Sequence, residues 1–258
     1  MSLRVDSVSL RIGQVPLLAD ISFRVADGEV LAIIGPNGAG KSTLLRLLSG
    51  DTAPTAGAVL FNGRPVGAWR GEDKARSMAV LPQAATLSFP FTVEEVVMLG
   101  RTPHRTGLRR DLEVVREALQ AVDGGHLLQR IYTQLSGGEK QRVQLARVLA
   151  QIWDPDGATE RLLILDEPTA SFDMAHQQLT LGLVKQLSRQ GIGIVLVVHD
   201  LTMAARCADN LLLLSCGRVA AHGSADQVLT EALVSEVFQV AVSIQHSSVT
   251  GDLWVAPR

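Results

Sequence analysis

The 258-residue chain lacks the features that mark several specialised protein classes. Its two cysteines, Cys207 and Cys216, provide neither a disulfide framework nor metal-ligand spacing, so we expect reduced packing residues. Its apolar runs, such as 192–198 and 211–214, are strand-sized and far shorter than the ~18 residues of a membrane helix. The net charge of −2 argues against a nucleic-acid coat protein, which would normally be basic. Residues 1–8 alternate like a strand and lack a signal-peptide core, so we expect a soluble, cytoplasmic protein.

The order of the predicted elements indicates an α/β protein without internal repeats. Strand patterns occur at 3–8, 21–25, 29–34, 57–63, 78–81, 162–165, 192–198 and 210–214. Helical spacing occurs at 43–50, 92–99, 112–122, 138–151 and 174–190, and again from residue 201. This order predicts a parallel, helix-flanked sheet with a helical segment inserted in its middle. From Gln239 onward we expect a short β-rich or irregular tail.

The segment Gly35-Pro-Asn-Gly-Ala-Gly-Lys-Ser-Thr43 matches the phosphate-cradling P-loop pattern. Its glycines allow a tight turn in which successive backbone N–H groups approach phosphate oxygens. A buried-strand run precedes it, and a helix with Gly50 just past its end follows, so the phosphates would lie at a helix N-terminus. The predicted nucleotide-binding residues here are Gly35, Pro36, Asn37, Gly38, Ala39, Gly40, Lys41, Ser42 and Thr43. We expect Lys41 to contact the β- and γ-phosphates and Ser42 to bind Mg²⁺.

A second motif, Leu162-Leu-Ile-Leu-Asp166-Glu167, is a strand that ends in two carboxylates. A buried parallel strand delivers such residues to the carboxyl edge of its sheet, where ligands of open α/β folds bind. Asp166 suits a magnesium role. Glu167 points differently and is suited to polarise the water that attacks a γ-phosphate.

A third motif, Leu135-Ser-Gly-Gly-Glu139, precedes the helical pattern from residue 140 and is called the signature segment below. Ser136 and Glu139 have the Ser-x-x-Glu spacing of a capping box, which an ordinary capped helix would also have. The adjacent Gly137 and Gly138 leave bare N–H groups at the helix start. We therefore predict a second anion site formed by Ser136, Gly137, Gly138 and Glu139.

These three motifs, in this order, resemble the nucleotide-binding subunit of an ABC transporter. The rest of that family's set follows: Gln83 after Leu81-Pro82 (Q-loop), Ser171-Phe-Asp173 (D-loop) and His199 in Val198-His-Asp200 (switch histidine). The resemblance covers residues 1–235. It implies a RecA-like P-loop ATPase core with an antiparallel β-subdomain and an inserted helical subdomain, within a single domain. The implied boundaries are 1–83 and 158–238 for the core, 84–157 for the helical subdomain and 239–258 for the tail.

The resemblance also implies residue roles, with ATP and Mg²⁺ as cofactors. Glu167, His199 and Gln83 form the catalytic set, in which His199 senses the γ-phosphate and Gln83 links the core to the helical insertion. Magnesium would be held by Ser42, Gln83 and Asp166, and Asp173 belongs to the cofactor-binding set. The family usually stacks an aromatic residue on adenine, and the matching position here is Ile12. An isoleucine offers apolar contact without a π-face, so either base discrimination is loose or another residue helps.

The type of transporter is indicated by residues 82–97 and 100–104, which look like importers of iron chelates, haem and cobalamin. The interrupted segment 152–161 resembles the haem-importer branch. We therefore expect ATP-driven haem import through a separate membrane permease, supplied by a periplasmic haem-binding protein, on the cytoplasmic face of the inner membrane. Siderophore or cobalamin import stays open. One alternative is a soluble ABC ATPase acting on DNA or ribosomes, but such proteins usually have two cassettes or a long coiled coil. Another alternative is a regulatory module that binds ATP without hydrolysing it, which the presence of Glu167 and His199 opposes.

One chain has two predicted anion sites but a single set of hydrolytic residues. A head-to-tail homodimer that sandwiches two ATP molecules would resolve this mismatch. The basic run Arg101, Arg105, Arg109 and Arg110 either contacts the permease or is a solvated loop. The five histidines other than His199 are interpreted as surface or packing residues.

Overall fold

The strands of the computed structural model, which describes residues 3–83, 87–154, 160–247 and 252–258, form three sheets. The strands are β1 (Leu3–Ile12), β2 (Val15–Val25), β3 (Val30–Ile34), β4 (Ala56–Phe61), β5 (Arg64–Pro65), β6 (Met78–Leu81), β7 (Arg161–Asp166), β8 (Ile192–Val197), β9 (Asn210–Ser215), β10 (Arg218–Gly223), β11 (Val242–His246) and β12 (Leu253–Pro257). The α-helices are α1 (Lys41–Leu48), α2 (Gly71–Ser77), α3 (Val93–Met98), α4 (Leu108–Ala121), α5 (Gly137–Ile152), α6 (Met174–Arg189), α7 (Leu201–Cys207), α8 (Ala225–Val228) and α9 (Glu231–Phe238).

The central sheet has the order β10-β9-β3-β8-β7-β6, in which β10 is antiparallel and the other five strands are parallel. Strands β3 and β8 are buried along their whole length, and β7 is buried after its first residue. Parallel strands that are buried on both faces have continuous apolar sequences, and such apolar runs predicted these strands. The α/β class is confirmed, and the carboxyl ends of β3, β7 and β8 meet at one edge.

The second sheet is antiparallel, with the order β2-β1-β4-β5. Its register shifts between Asp6 and Ser9 of β1, opposite β4. Gly57 makes this irregularity possible, because a Cβ there would collide with the backbone oxygens of Asp6 and Ser7. This sheet confirms the predicted antiparallel β-subdomain.

The helices α3, α4 and α5 are inserted between β6 and β7, which confirms the predicted helical segment. Both α3 and α5 begin with a complete capping box, formed by Thr92 with Glu95 and by Ser136 with Glu139. The exact subdomain boundaries at 83/84 and 157/158 stay predictions.

Helix α2 was not predicted. Its sequence, Gly71 to Ser77, has no apolar periodicity. It places acidic residues in its first turn and basic residues in its last, which favours the helix dipole. The Gln151 side chain donates to the carbonyl oxygens of Ala75 (2.9 Å) and Met78 (3.0 Å), which holds the end of α2 against α5. Charge placement and this tertiary contact therefore stabilise a helix that apolar periodicity did not predict.

Both interpretations of the basic run are wrong for Arg101. Its side chain is buried, with 3% of the residue exposed, and is neither a solvated nor a docking group. It contacts the carboxylates of Asp111 (2.9 Å) and Asp154 (3.0 Å). Arg110 also bonds to Asp154, at 2.7 Å, whereas Arg109 is 96% exposed at its side chain. A buried arginine is tolerated here because paired carboxylates offset its desolvation.

The tail forms the hairpin β11–β12, which confirms the β-rich expectation. It lies on α7, where the backbone N–H of Val255 donates to the Thr202 hydroxyl (3.1 Å) and Arg206 pairs with Asp252 (3.3 Å). No helix within the described ranges is long and apolar enough to cross a bilayer. Parts of the segments used to assign the importer type, 84–86 and 155–159, lie outside the described residues, as do tail residues 248–251.

Candidate nucleotide-binding site

The P-loop turns from β3 into α1 with glycines in left-handed conformations. Gly35 and Gly40 have φ values of 149° and 102°. A Cβ at Gly35 would collide with the Leu214 carbonyl oxygen, and one at Gly40 would lie 2.7 Å from the Leu18 side chain. Only glycine fits at these positions, for steric as well as conformational reasons. Helix α1 ends at Leu48 with Gly50 at φ 76°, which confirms the predicted end of this helix.

Lys41 folds back over the loop from the first turn of α1. Its Nζ donates to the carbonyl oxygens of Gly35 (2.7 Å) and Pro36 (3.0 Å). Burial lowers the pKa of the Lys41 ammonium, while the carboxylates of Glu167 and Asp166 oppose that shift. The ammonium therefore sits in a partly desolvated position, where phosphate oxygens would be further charged partners.

Asp166 is the last residue of β7, and its carboxyl group is buried. Burial raises the pKa of Asp166, and the nearby Glu167 raises it further, whereas a hydrogen bond with the Ser42 hydroxyl and the charge of Lys41 lower it. Its Oδ1 atom is buried without a hydrogen-bond partner among the described residues. This unsatisfied carboxylate oxygen and the neighbouring Ser42 hydroxyl are together suitable ligands for a hard cation.

Glu167 follows β7 in a left-handed backbone conformation, with φ 52°. Its Oε2 accepts a hydrogen bond from Gln83 Nε2 at 3.1 Å, and its Oε1 lies 2.5 Å from His199 Nε2. Because an ionised carboxylate only accepts, His199 Nε2 carries the shared proton when Glu167 is ionised. The structure thus brings together the three predicted catalytic residues, which follow three different strands of the central sheet.

A cavity of about 270 Å³ lies between these groups and the P-loop. It is lined by Asn37, Gly38, Gly40, Lys41, Ser42, Thr43, Gln83, Glu167 and His199. A larger cavity of about 750 Å³, between α6, α7 and the C-terminal hairpin, has mostly apolar walls and includes His199 but no P-loop residue. The smaller cavity is therefore the one lined by the predicted phosphate-binding residues.

The other predicted cofactor-binding residues do not line the P-loop cavity. Ile12 ends β1, is 67% exposed and pairs with the exposed Val15. Asp173 is the N-cap of α6. The signature segment caps α5, where the Glu139 carboxylate accepts from the Ser136 N–H at 2.7 Å, a bond that lowers the pKa of Glu139. Gly137 has open space where a Cβ would be.

A family model described as ABC transporter matches residues 18–170, which is more than half of the chain. This chain belongs to the ABC transporter family. It is 48% identical over 256 residues to the hemin import ATP-binding protein HmuV of Pseudomonas entomophila, covering 99% of this chain and 100% of the relative. It is 44% identical to the protein of the same name from Pseudomonas aeruginosa, with the same coverage. An inward-facing putative metal-chelate type ABC transporter superposes with a TM-score of 0.83 at 27% identity, covering 100% of this chain and 97% of that chain.

This family membership confirms the resemblance inferred from the motifs, but the motifs did not reveal every side chain that contacts the site or the start of α6. Gln141 of α5 donates from Nε2 to the backbone oxygen of Glu167 at 3.3 Å. Arg142, the next residue, contacts His176 of α6 at 2.6 Å. His176 carried a sequence signal, since a polar side chain three residues after an N-cap can reach back to the cap. The two α5 residues carried none, because their partners lie on other elements.

Proposed function

We propose that this chain is the ATP-hydrolysing subunit of a hemin importer. The observation that carries the ATPase assignment is the convergence of Lys41, Gln83, Glu167 and His199 on one cavity. The cargo is supported by relatives that carry the name hemin import ATP-binding protein and match 99% of this chain at 44–48% identity.

The P-loop would bind the triphosphate. The backbone N–H groups at the start of α1 are free of intrahelical partners and, with the helix dipole, favour an anion there. Lys41 would exchange its two carbonyl contacts for phosphate oxygens, which gives its desolvated ammonium a charged partner.

Ser42, Gln83 and Asp166 are the residues that would hold Mg²⁺. The donor set consists of a hydroxyl, an amide oxygen and a carboxylate, which are the hard oxygen ligands that Mg²⁺ prefers. The buried, unpartnered Oδ1 of Asp166 supports this fit. Held by these three residues, the ion would supply positive charge that offsets the negative charge of the phosphates.

Glu167 would act as the general base for the attacking water. Its carboxylate is held from two sides, by Gln83 and by His199, so its orientation is set before the water arrives. When a nucleotide binds, His199 Nε2–H would donate to a γ-phosphate oxygen instead, which would release Glu167 to accept the water proton.

Ile12 and Val15 would contact the nucleotide base. Both are exposed apolar residues at the tip of the β1–β2 hairpin. The same strand β2 reaches the P-loop, since the Leu18 side chain lies where a Cβ of Gly40 would be. Aliphatic contact without stacking predicts modest selectivity between adenine and guanine.

The working unit would be a head-to-tail homodimer on the cytoplasmic face of the inner membrane, bound to a permease that receives hemin from a periplasmic binding protein. The signature segment of one chain does not line its own P-loop cavity, which supports completion of the site by a second copy. The exposed aromatic pair Phe89 and Phe91, whose rings lie 6.0 Å apart, follows the Q-loop residue Gln83 and is a candidate permease contact.

A second cargo, a ferric siderophore, is favoured by the structural likeness to a putative metal-chelate type transporter. The test is growth of an iron-starved strain that lacks its own hemin-import ATPase and carries this chain with its cognate permease. Growth on hemin and not on a ferric siderophore supports the hemin assignment, with Lys41→Ala as the inactive control. The reverse pattern would replace the cargo while leaving the ATPase assignment intact.

A further inference from the structure

The D-loop segment (171–173) is linked to the signature helix α5 of the same chain through one side chain, His176. Asp173 caps α6, and its Oδ1 accepts from the backbone N–H of His176 at 2.9 Å. The same oxygen lies 2.8 Å from His176 Nδ1. On the other side of the ring, His176 Nε2 lies 2.6 Å from Nη1 of Arg142.

These contacts define the protonation state of the ring. A guanidinium only donates, so Nε2 of His176 accepts from Arg142. Nδ1 therefore carries the proton of a neutral imidazole and donates to Asp173. The ionised carboxylate of Asp173 can only accept hydrogen bonds. The hydrogen bond from the His176 backbone lowers the pKa of Asp173 and keeps it ionised. Both ring nitrogens are thus used.

Arg142 is anchored independently of His176. It is buried, and its Nη1 donates to the backbone oxygen of Asp123 at 3.0 Å, just beyond α4. The D-loop meets α5 at a second place, since a Cβ on Gly138 would lie 3.1 Å from the Ser171 carbonyl oxygen. The His176 bridge therefore ends on an arginine that has a second partner, and it lies beside a close approach between the backbones of α5 and the D-loop.

We propose that His176 is a positioning residue for ATP hydrolysis: it holds the Asp173 end of the D-loop in register with the signature helix. This inference rests on the proposed function, in which the signature segment completes the nucleotide site of the partner subunit, and on the prediction that Asp173 is a cofactor-binding residue. With the bridge in place, the D-loop and the signature segment keep a fixed position relative to each other as they approach the partner's nucleotide. Without it, the contact that remains between the D-loop and α5 among those given above is the close approach of Gly138 to the Ser171 carbonyl oxygen.

Two half-isosteres separate the two contacts. His176→Asn keeps an N–H near the Nδ1 position and loses the acceptor for Arg142. His176→Gln places an oxygen near the Nε2 position and loses the donor to Asp173. A bridge needs both contacts, so we expect each variant to lower kcat by about tenfold or more, as misplacement of positioned groups does. ATP affinity of the isolated subunit should stay at the wild-type value, because the P-loop is untouched.

The experiment measures kcat and KM for ATP on the full chain, ATP binding to the monomer, and thermal melting. His126→Gln, at an exposed histidine, is the matched control and should behave as wild type. A lowered melting temperature with unchanged kcat would show a merely structural role and overturn the proposal. So would a loss of activity in only one of the two variants, because a single contact would then suffice. A wild-type protein without ATP turnover, or with turnover that Lys41→Ala leaves unchanged, would refute the proposed function itself. This inference would then fail with it.

Discussion

Glutamine at position 167 would preserve the size of the proposed general base and remove its negative charge. Both carboxylate oxygens of Glu167 have partners, Oε2 with Gln83 at 3.1 Å and Oε1 with His199 at 2.5 Å. An amide has one acceptor oxygen and an NH₂ group that only donates. The variant can therefore keep only one of these contacts in its present direction, and it can no longer take a proton from water.

The expected loss is large. General-base catalysis contributes about 10²–10⁴-fold, or about 2.7–5.4 kcal/mol of the barrier at about 1.36 kcal/mol per factor of ten. We expect kcat of Glu167→Gln to fall by at least about 10²-fold. Glu167 is not proposed to hold a phosphate, and the variant loses the repulsion between its carboxylate and the phosphates. ATP should therefore bind at least as well as it binds to wild type.

The assay combines phosphate release at saturating Mg-ATP, equilibrium ATP binding and size-exclusion chromatography. The variant should accumulate as an ATP-bound dimer, because closure remains possible while hydrolysis does not. Glu236→Gln, an exposed carboxylate on α9, is the matched control and should match wild type in all three measurements. A monomeric Glu167→Gln protein that hydrolyses ATP at the normal rate would refute the assignment of the base.

Three further changes test the remaining site assignments. Ser136→Arg should abolish hydrolysis while the isolated subunit still binds ATP, and mixing it with the inactive Lys41→Ala subunit should restore some turnover; loss of ATP binding by the monomer would contradict a site shared between subunits. Ile12→Tyr should tighten ATP binding by about 0.5–1.5 kcal/mol in calorimetry, and unchanged affinities for ATP and GTP would place the base elsewhere. Asp166→Asn should raise the melting temperature of the nucleotide-free protein at pH 7 and abolish turnover; no rise in melting temperature would contradict the burial argument.

The pH dependence of that last effect follows from the raised pKa of Asp166. Ionisation of a buried carboxyl beside Glu167 works against the folded state at neutral pH. Below the pKa of an unfolded aspartate, about 3.9, both states are protonated and wild type loses this disadvantage. Asparagine is uncharged throughout, so the advantage of the variant should shrink as the pH falls through the raised pKa toward about 4.

The local chemistry of the P-loop, the signature cap and the acidic strand was readable from the sequence. Each depends on residues within about nine positions of one another, where backbone geometry and capping hydrogen bonds are decided by near neighbours. The glycines at 35 and 40, the Ser136–Glu139 box and the strand before Asp166 all have the predicted form. The order of the predicted strands and helices indicated the parallel sheet, and the order of the motifs carried the family resemblance that implied the rest of the fold.

The tertiary structure alone decided which distant side chains meet. Glu167 and His199 are 32 residues apart and touch because β7 and β8 are parallel neighbours. Arg101 is buried because a carboxylate 53 residues away lies against it, although its local sequence is typical of a basic surface loop. Arg142 meets His176 because α5 packs beside the start of α6. Charge pairing across long separations depends on topology and burial, and neither is encoded in a short window of sequence.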